Sequence, residues 1–137
     1  MLLKDKTILI TGSTRGIGKD IAIKCAEEGA NLIISGTKQK TVDNCVSELK
    51  ASYTSTIVGI ACNVSDYQSC QAFVKEALEK CPKIDVLINN AGITKDNLVL
   101  RLSDQDFDDV IKTNLNSACY LTKLLSKHML RNKSGNI

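Results

Sequence analysis

Apolar residues fall along this chain in two alternating rhythms. Four short runs, Thr7 to Thr11, Asn31 to Ser35, Thr56 to Cys62 and Asp85 to Asn89, are rich in β-branched residues or leucine and have the length of strands. Between them the apolar positions recur at helical spacing. Ile17, Ile21, Ala22, Cys25 and Ala26 share one face, and Val42, Cys45, Val46 and Leu49 repeat the i, i+3, i+4, i+7 pattern. Cys70, Phe73, Val74, Ala77, Leu78 and Cys81 extend that pattern over a third helix. Ser65 with Gln68 predicts a capping box before this helix, and Ser103 predicts a cap before a long helical stretch from about Gln105 to Arg131. Gly29 and Pro82 mark helix ends.

Strands that are apolar almost throughout, alternating with helices, predict a parallel sheet covered on both faces. The order is β-α-β-α-β-α-β-α. Right-handed crossovers then arrange the strands 3-2-1-4, an α/β fold of the Rossmann-type doubly wound kind, with helices on both faces. The switch point falls between the first and fourth strands, and a ligand crevice is expected beyond their carboxyl ends. Ser134-Gly135-Asn136-Ile137 reads as a turn and the opening of a fifth strand. A length of 137 residues fits one domain, so residues 1–137 are expected to form a single unit without linker or repeat.

Composition narrows the function classes. With 43% hydrophobic and 24% charged residues and one proline, the chain should bury a core rather than remain disordered. A net charge of +3 spread along the chain, few aromatics and no tryptophan argue against a nucleic-acid partner. No apolar run approaches the roughly 18 residues that span a bilayer, and Lys4, Asp5 and Lys6 interrupt the N-terminus, so a cytoplasmic protein without membrane contact is expected. Five of the six cysteines sit where the periodicity wants an apolar residue, and no C-x-x-C pair occurs. They are read as reduced core thiols, and with His128 as the only imidazole no metal site is expected.

The strongest local signal is Thr11-Gly12-Ser13-Thr14-Arg15-Gly16-Ile17-Gly18, between the first strand and the first helix. Glycines there permit a tight turn and close backbone approach, and the helix N-terminus offers N–H groups and a positive dipole end to a pyrophosphate. The pattern predicts dinucleotide binding. It is not a Walker A loop, because Gly18-Lys19 is followed by Asp20 rather than Ser or Thr. NAD-binding folds carry an acid about 20 residues on, at the end of the second strand, to accept hydrogen bonds from the ribose 2′-OH. Here the stretch reads Ser35-Gly36-Thr37-Lys38, and no Asp or Glu occurs between Glu28 and Asp43. Nothing would repel a 2′-phosphate, so NADPH is the expected cofactor. Arg15 and Lys38 could hold the phosphate by charge-assisted contacts, or be solvated surface charges. Cys62-Asn63-Val64 and Asn89-Asn90-Ala91-Gly92-Ile93 follow the third and fourth strands, where small residues let adenine and ribose approach the backbone.

Through Thr11-Gly12-x-x-x-Gly16-x-Gly18, Asn89-Asn90-Ala91-Gly92 and Asn114 within Asn114-Leu115-Asn116, the whole chain resembles the N-terminal half of a short-chain dehydrogenase/reductase. Gly92-Ile93-Thr94-Lys95-Asp96-Asn97-Leu98, with Arg101 and Asp106-Phe107, is similar to bacterial 3-oxoacyl-acyl-carrier-protein reductases of fatty acid biosynthesis. The resemblance implies NADPH-dependent reduction of the β-keto group of an acyl chain carried on acyl carrier protein, by a homotetramer when full length. It implies that Gly12, Ser13, Thr14, Arg15 and Ile17, in the loop completed by Gly16 and Gly18, line the pyrophosphate and 2′-phosphate. Thr37 would lie near the adenosine ribose. Asn63, standing where many relatives have Asp, and Val64 would flank adenine. Asn90, Ala91, Gly92 and Ile93 would follow the ribose and nicotinamide side. Asn114 is the matched catalytic position, where main chain and side chain help hold a water of a proton relay.

On the family pattern the catalytic Ser and the Tyr-x-x-x-Lys lie beyond residue 137, so the chain is expected to be truncated before that segment. Tyr53, Tyr67 and Tyr120 have Ile57, Gln71 and Leu124 four residues on, and Tyr120 is expected to be structural. The chain by itself is expected to be inactive for want of a proton donor. The alternatives are a related reductase of acyl-CoA, sugar or another ketone, and a non-catalytic nucleotide-binding fragment.

Overall fold

Ile8, Leu9 and Ile10 present no polar face in any register, so the segment is stable only where both sides are covered. In the computed structural model, which describes Met1–Ile137, they form the central strand β1 (Thr7–Ile10), buried throughout. On one flank it pairs with β2 (Asn31–Gly36), Ile8 opposite Leu32, and on the other with β4 (Val86–Ile88), Leu9 opposite Leu87. β3 (Ile57–Ala61) lies outside β2, with Ile33 opposite Val58. All pairings are parallel and the order is β3-β2-β1-β4, the expected topology.

Alternation along the strands divides the core in two. Ile8, Ile10, Leu32, Ile34 and Ile57 meet α1 (Gly16–Glu27) and α2 (Gln39–Ser52) through Ala22, Cys25, Ala26, Val42, Cys45 and Leu49. Leu9, Ile33, Ile60 and Leu87 meet α3 (Tyr67–Lys80) and α5 (Ser117–Arg131) through Phe73, Val74, Leu121 and Leu125. Each layer exists because successive side chains of a strand point to opposite faces. Five cysteines are buried in these layers, Cys119 is exposed, and all six are free thiols. Burial pushes the Cys25, Cys45 and Cys81 thiols above their ordinary value.

Helix ends follow their local chemistry, with two departures from the sequence reading. Gly29, at φ +85°, ends α1 in a Schellman arrangement, its N–H donating to Ala26 O (2.9 Å) and the Ala30 N–H to Cys25 O (3.0 Å). Ser103 caps α4 (Asp104–Ile111) by accepting the Asp106 N–H. At α3, however, the cap is Asp66, whose carboxylate accepts the Ser69 N–H at 2.7 Å. The Ser65–Gln68 box does not form: Asp66 holds the N-cap position, and the Ser65 side chain turns back to donate to Asn63 Oδ1 (2.7 Å). The long helix expected from Gln105 to Arg131 is also divided. α4 and α5 are joined by a π-helical turn, Lys112–Asn116, where i→i−5 bonding widens the coil. Ser134 to Ile137 open the expected fifth strand only as one parallel bridge, Asn136 to Val86.

β4 is short, and a side chain reinforces its start. Asp85 is buried, and its Oδ2 accepts the Thr7 N–H at 3.0 Å. Lys83 Nζ lies 3.1 Å and Lys6 Nζ 3.9 Å from Oδ1, Lys83 meeting it as an ion pair off the line of a hydrogen bond. Burial raises the Asp85 pKa, but the Thr7 N–H and the Lys83 and Lys6 charges outweigh it and hold the carboxyl below its ordinary value. A depressed folded pKa contributes stability above the unfolded value of about 3.9 and loses it as pH falls through the lower folded value. Asp85→Ala should therefore cost about 1–3 kcal/mol near neutral pH, by leaving a buried N–H unpaired. The gap to the parent chain should narrow below about pH 4. Urea unfolding of both proteins across that range checks the sign.

Candidate nucleotide-binding site

The site is built where β1 and β4 end side by side. Their next residues must part into separate loops, which strips backbone groups of ladder partners at a buried point. Thr11 replaces those partners. Its N–H donates to Ile88 O (3.1 Å), while Oγ1 accepts the N–H of Asn90 (3.0 Å) and of Ala91 (2.9 Å). Asn90 reciprocates, Nδ2 donating to Thr11 O (2.9 Å) and Gly12 O (3.0 Å). Four hydrogen bonds between two side chains and the opposing backbones thus lock the glycine loop to the Asn-Ala-Gly turn.

That lock leaves no room for side chains between the two loops. Gly12 turns at φ +62°, and a Cβ there would stand 3.0 Å from Ala91 Cα. A Cβ on Gly18 would run into Gly12 O and Asn90 Nδ2, so α1 can start this close to the turn only with glycine. Ser13 is wholly buried. It fastens the ends of β1 and β2, its Oγ donating to Ile10 O (2.8 Å) and accepting the Ser35 N–H (3.0 Å). Arg15 takes the N-cap position of α1, but its side chain makes no capping bond.

These elements enclose a cleft of about 330 Å³ beyond the carboxyl ends of the strands. Gly12, Thr14, Arg15, Gly16, Ile17 and Gly18 form one wall, Ser35, Gly36 and Thr37 the end of β2, Cys62 and Val64 the end of β3, and Asn90 to Ile93 the opposite wall, with Thr113 at the margin. The expected residues converge there with three exceptions. Ser13 turns inward. Asn63 is exposed outside the lining, its Oδ1 accepting the Ser65 N–H and hydroxyl. Asn114 faces an adjoining hollow with Arg15, Gly92, Ile93 and Thr94.

Asn114 reaches that hollow from the π-helical turn. Its Oδ1 accepts the Ile93 N–H (2.8 Å) and its Nδ2 donates to Ile93 O (2.9 Å), so one amide replaces a strand partner and fixes the loop after β4. Ser35, Gly36 and Thr113 join the lining although the expected set omits them, and Cys62 joins it from the strand-end segment expected there. The small Ser35-Gly36 pair was the available signal, since a Cβ on Gly36 would lie 2.8 Å from Thr14 Cγ2. Thr113 carried none, because its position depends on the π turn.

Arg15 is the only charged residue of the lining, and no carboxylate faces it. Lys38 is exposed at the N-cap of α2, next to Thr37 and outside the lining. The Ser35 hydroxyl is buried without a hydrogen-bond partner. Bare glycine backbone, one guanidinium and a spare hydroxyl suit an anionic, hydroxyl-rich ligand such as a dinucleotide phosphate. Tyr120 lies elsewhere, edge-on to Tyr67 with ring centroids 5.2 Å apart, and Lys123 Nζ sits 5.7 Å from the Tyr67 ring centre. No group of three or more His, Cys, Asp or Glu side chains is placed to hold a metal, and no helix is long and apolar enough to cross a membrane. Thr11→Val keeps the shape but strands two backbone N–H groups. It should cost about 2 kcal/mol or more in urea unfolding, while Thr11→Ser should retain most of the stability.

The chain matches a family model described as short chain dehydrogenase over residues 6–137. It is 42% identical over 134 residues to 3-oxoacyl-acyl-carrier-protein reductase FabG of Staphylococcus aureus, an alignment covering 96% of this chain and 54% of that protein. The protein of the same name from Vibrio harveyi is 37% identical over 137 residues, 100% of this chain and 54% of its own. Among solved structures, a short chain dehydrogenase from Mycobacterium smegmatis superposes with a TM-score of 0.90 at 27% identity, over 93% of this chain and 54% of that one. The chain thus spans about half the length of the curated relatives it matches. Its fold, its glycine turn and this match along nearly the whole sequence place it in the short chain dehydrogenase family.

Proposed function

We propose that residues 1–137 are the cofactor-binding part of an NADPH-dependent reductase that converts 3-oxoacyl-acyl-carrier-protein to 3-hydroxyacyl-acyl-carrier-protein. The observation that carries the cofactor choice is the charge of the cleft. Arg15 lies in its wall and no carboxylate stands at the end of β2 to pair with a free 2′-OH. The substrate class is supported by the name shared by the Staphylococcus and Vibrio relatives. A full-length protein of this kind acts as a homotetramer in the cytoplasm in this reading.

Each wall then has a task. Gly12, Thr14, Gly16, Ile17 and Gly18 receive the pyrophosphate at the start of α1, where the helix dipole favours negative charge. Arg15 and Thr37 take the 2′-phosphate and ribose. Val64 flanks adenine, and Asn63 and Ser13 serve by holding the turns beneath it. Asn90, Ala91, Gly92 and Ile93 follow the nicotinamide side. When bound, NADPH supplies the hydride for the keto carbon. Asn114 is the residue of this chain assigned to the proton-transfer chemistry in this reading: its side-chain amide is committed to Ile93 from within the π turn, so its main chain is the part that would hold a water. A positioned donor to the carbonyl oxygen is not among these residues, since no tyrosine has lysine four positions on.

Fluorescence titration of the chain should give at least about tenfold tighter binding of NADPH than of NADH, a difference of about 1.4 kcal/mol. Arg15→Ala should remove most of that difference while leaving NADH binding little changed. Equal or tighter NADH binding by the parent chain would overturn the cofactor assignment.

A second expectation concerns turnover. General acid catalysis typically contributes about 10²–10⁴ in rate. The 137-residue chain, given NADPH and an acetoacetyl thioester, should therefore show no NADPH oxidation above background, with a full-length relative as positive control. Turnover comparable to that control would redirect attention to Tyr120 and Lys123.

A further inference from the structure

His128 is the chain's only imidazole, and it lies outside the cleft lining. We propose that it is a pH-sensitive latch: as the neutral ring it fastens α5 to the start of β4, and on taking up a proton it lets go. The device rests on hydrogen-bond geometry at the amino end of β4 and does not depend on the cofactor reading.

The backbone creates the need for a latch. Ile84 is wholly buried just before β4, where no strand yet runs beside it. The next amide, that of Asp85, donates to Thr7 O (2.9 Å), and the Thr7 N–H returns to Asp85 Oδ2 (3.0 Å). No backbone oxygen takes the Ile84 N–H. It donates instead to His128 Nε2 at 3.2 Å, across 44 residues of chain. A buried N–H without a partner is costly, so the imidazole stands in for the strand that residue 84 lacks. The ring is brought there by α5, whose Leu125 and Met129 are buried in the same core layer as Ile84.

That bond fixes where the ring carries its proton. A backbone N–H can only donate, so Nε2 must offer its lone pair and the proton of the neutral ring sits on Nδ1. Asn132 Nδ2, one helical turn on, lies 3.0 Å from the same nitrogen and donates to it as well. Protonation puts a hydrogen on Nε2, and donor then faces donor. Asn132 can answer by turning its amide over to present oxygen. Ile84 has no such freedom, because its N–H belongs to the main chain.

The surrounding charges give the imidazolium little support. On α5 the charged neighbours are Lys127 and Arg131, with Lys133 in the turn beyond, and the helix carries no acid. The carboxyl end of α5 favours a cation, but Arg131 and Lys133 already lie there. From the β4 side come Lys83 and Asp85, whose carboxylate is turned to the Thr7 N–H, Lys83 and Lys6. From the end of α3 come Glu76, Glu79, Lys80 and Cys81. Glu76 pairs with Lys80 (2.8 Å), Glu79 is exposed, and burial keeps the Cys81 thiol neutral. No ion pair of the chain includes His128. The sign follows from proton counts. An unfolded chain takes a proton on its imidazole below about pH 6.5, whereas the latched fold has no place for one on Nε2. Stability therefore rises with pH in this range, and between about pH 7.5 and about pH 5.5 the latched state loses about tenfold in population relative to the open one. Asp85 titrates below that window, since its carboxyl is held under its ordinary value.

Amide hydrogen exchange of the isotope-labelled 137-residue chain tests the latch, each rate being taken relative to the unfolded rate at the same pH. Protection of the Ile84 amide should fall about tenfold between about pH 7.5 and about pH 5.5. In His128→Gln the side-chain oxygen can accept the same N–H and takes no proton in this range, so protection there should change by less than about twofold. Circular dichroism checks that the variant is folded. A second measurement needs no variant: at the higher pH the ring nitrogen shifts of the parent chain should show the proton on Nδ1. A ring protonated on Nε2 at the higher pH would overturn the proposal. So would unchanged Ile84 protection in the parent, or the same tenfold loss in His128→Gln.

Discussion

The pairing of β1 with β4 is the constraint on which the site depends. β4 has three residues, too few for ladder bonds alone to hold a strand at the rim of a sheet. Side chains close the pair at both ends. Asp85 takes the Thr7 N–H at the start, and Thr11 with Asn90 exchanges four hydrogen bonds at the finish. Each of these bonds satisfies a backbone group that no neighbouring strand could reach. Because the upper set also fixes Gly12 against Ala91, the distance between the two walls of the cleft is set by the same interaction that finishes the sheet. Stability and binding geometry are therefore coupled at Thr11 and Asn90.

Asn114 extends this logic one layer outward. Residues 92–98 follow β4 without regular structure, and the loop would otherwise be tethered only at its beginning. The amide of Asn114 engages both backbone groups of Ile93, and Lys95 is gripped by Asp106 (3.3 Å) and Asp109 (2.6 Å) on α4. The π turn sits between α4, which holds the loop, and α5, which packs on the core through Leu121 and Leu125. One extra residue in the coil shifts the faces that the two helices present, so that they serve different partners.

Sheet order and layering were legible in the sequence because the signals were redundant. Ile8-Leu9-Ile10 and Leu32-Ile33-Ile34 have no polar face, and the Ile21 to Ala26 and Cys70 to Cys81 periods leave little choice of helix face, whereas Ile17, expected on the same face, stands exposed in the cleft wall. The glycine loop was legible for a similar reason: its spacing coincides with a strand-to-helix junction. What escaped depends on competition between neighbours. Ser65 and Asp66 are both good caps, and the Asn63 turn, which draws the Ser65 side chain back toward Asn63, leaves the N-cap position to Asp66. The helical period from Gln105 to Arg131 is unbroken in hydropathy, so the π turn leaves no trace in it. Ser13 matches a binding pattern by position, yet its hydroxyl is spent on joining β1 to β2. A motif fixes where the backbone goes and leaves open which of its side chains reach the ligand.

Charge is distributed along the sheet in a way that keeps these tasks apart. The buried carboxylate, Asp85, lies at the amino ends of the strands with Lys6 and Lys83 beside it, so its charge is compensated where it stands. The carboxyl ends carry Arg15, the dipole of α1 and no acid in the lining. An acid at that end would pair with Arg15 and the positive end of α1, and so would compete with any phosphate arriving at the glycine loop. Placing the structural ion cluster at one end of β1 and β4 and the open guanidinium at the other lets the same two strands be fixed by charge below and receive charge above. The β1–β4 pair can then be rigid without its lock competing for the anion that the cleft is shaped to hold.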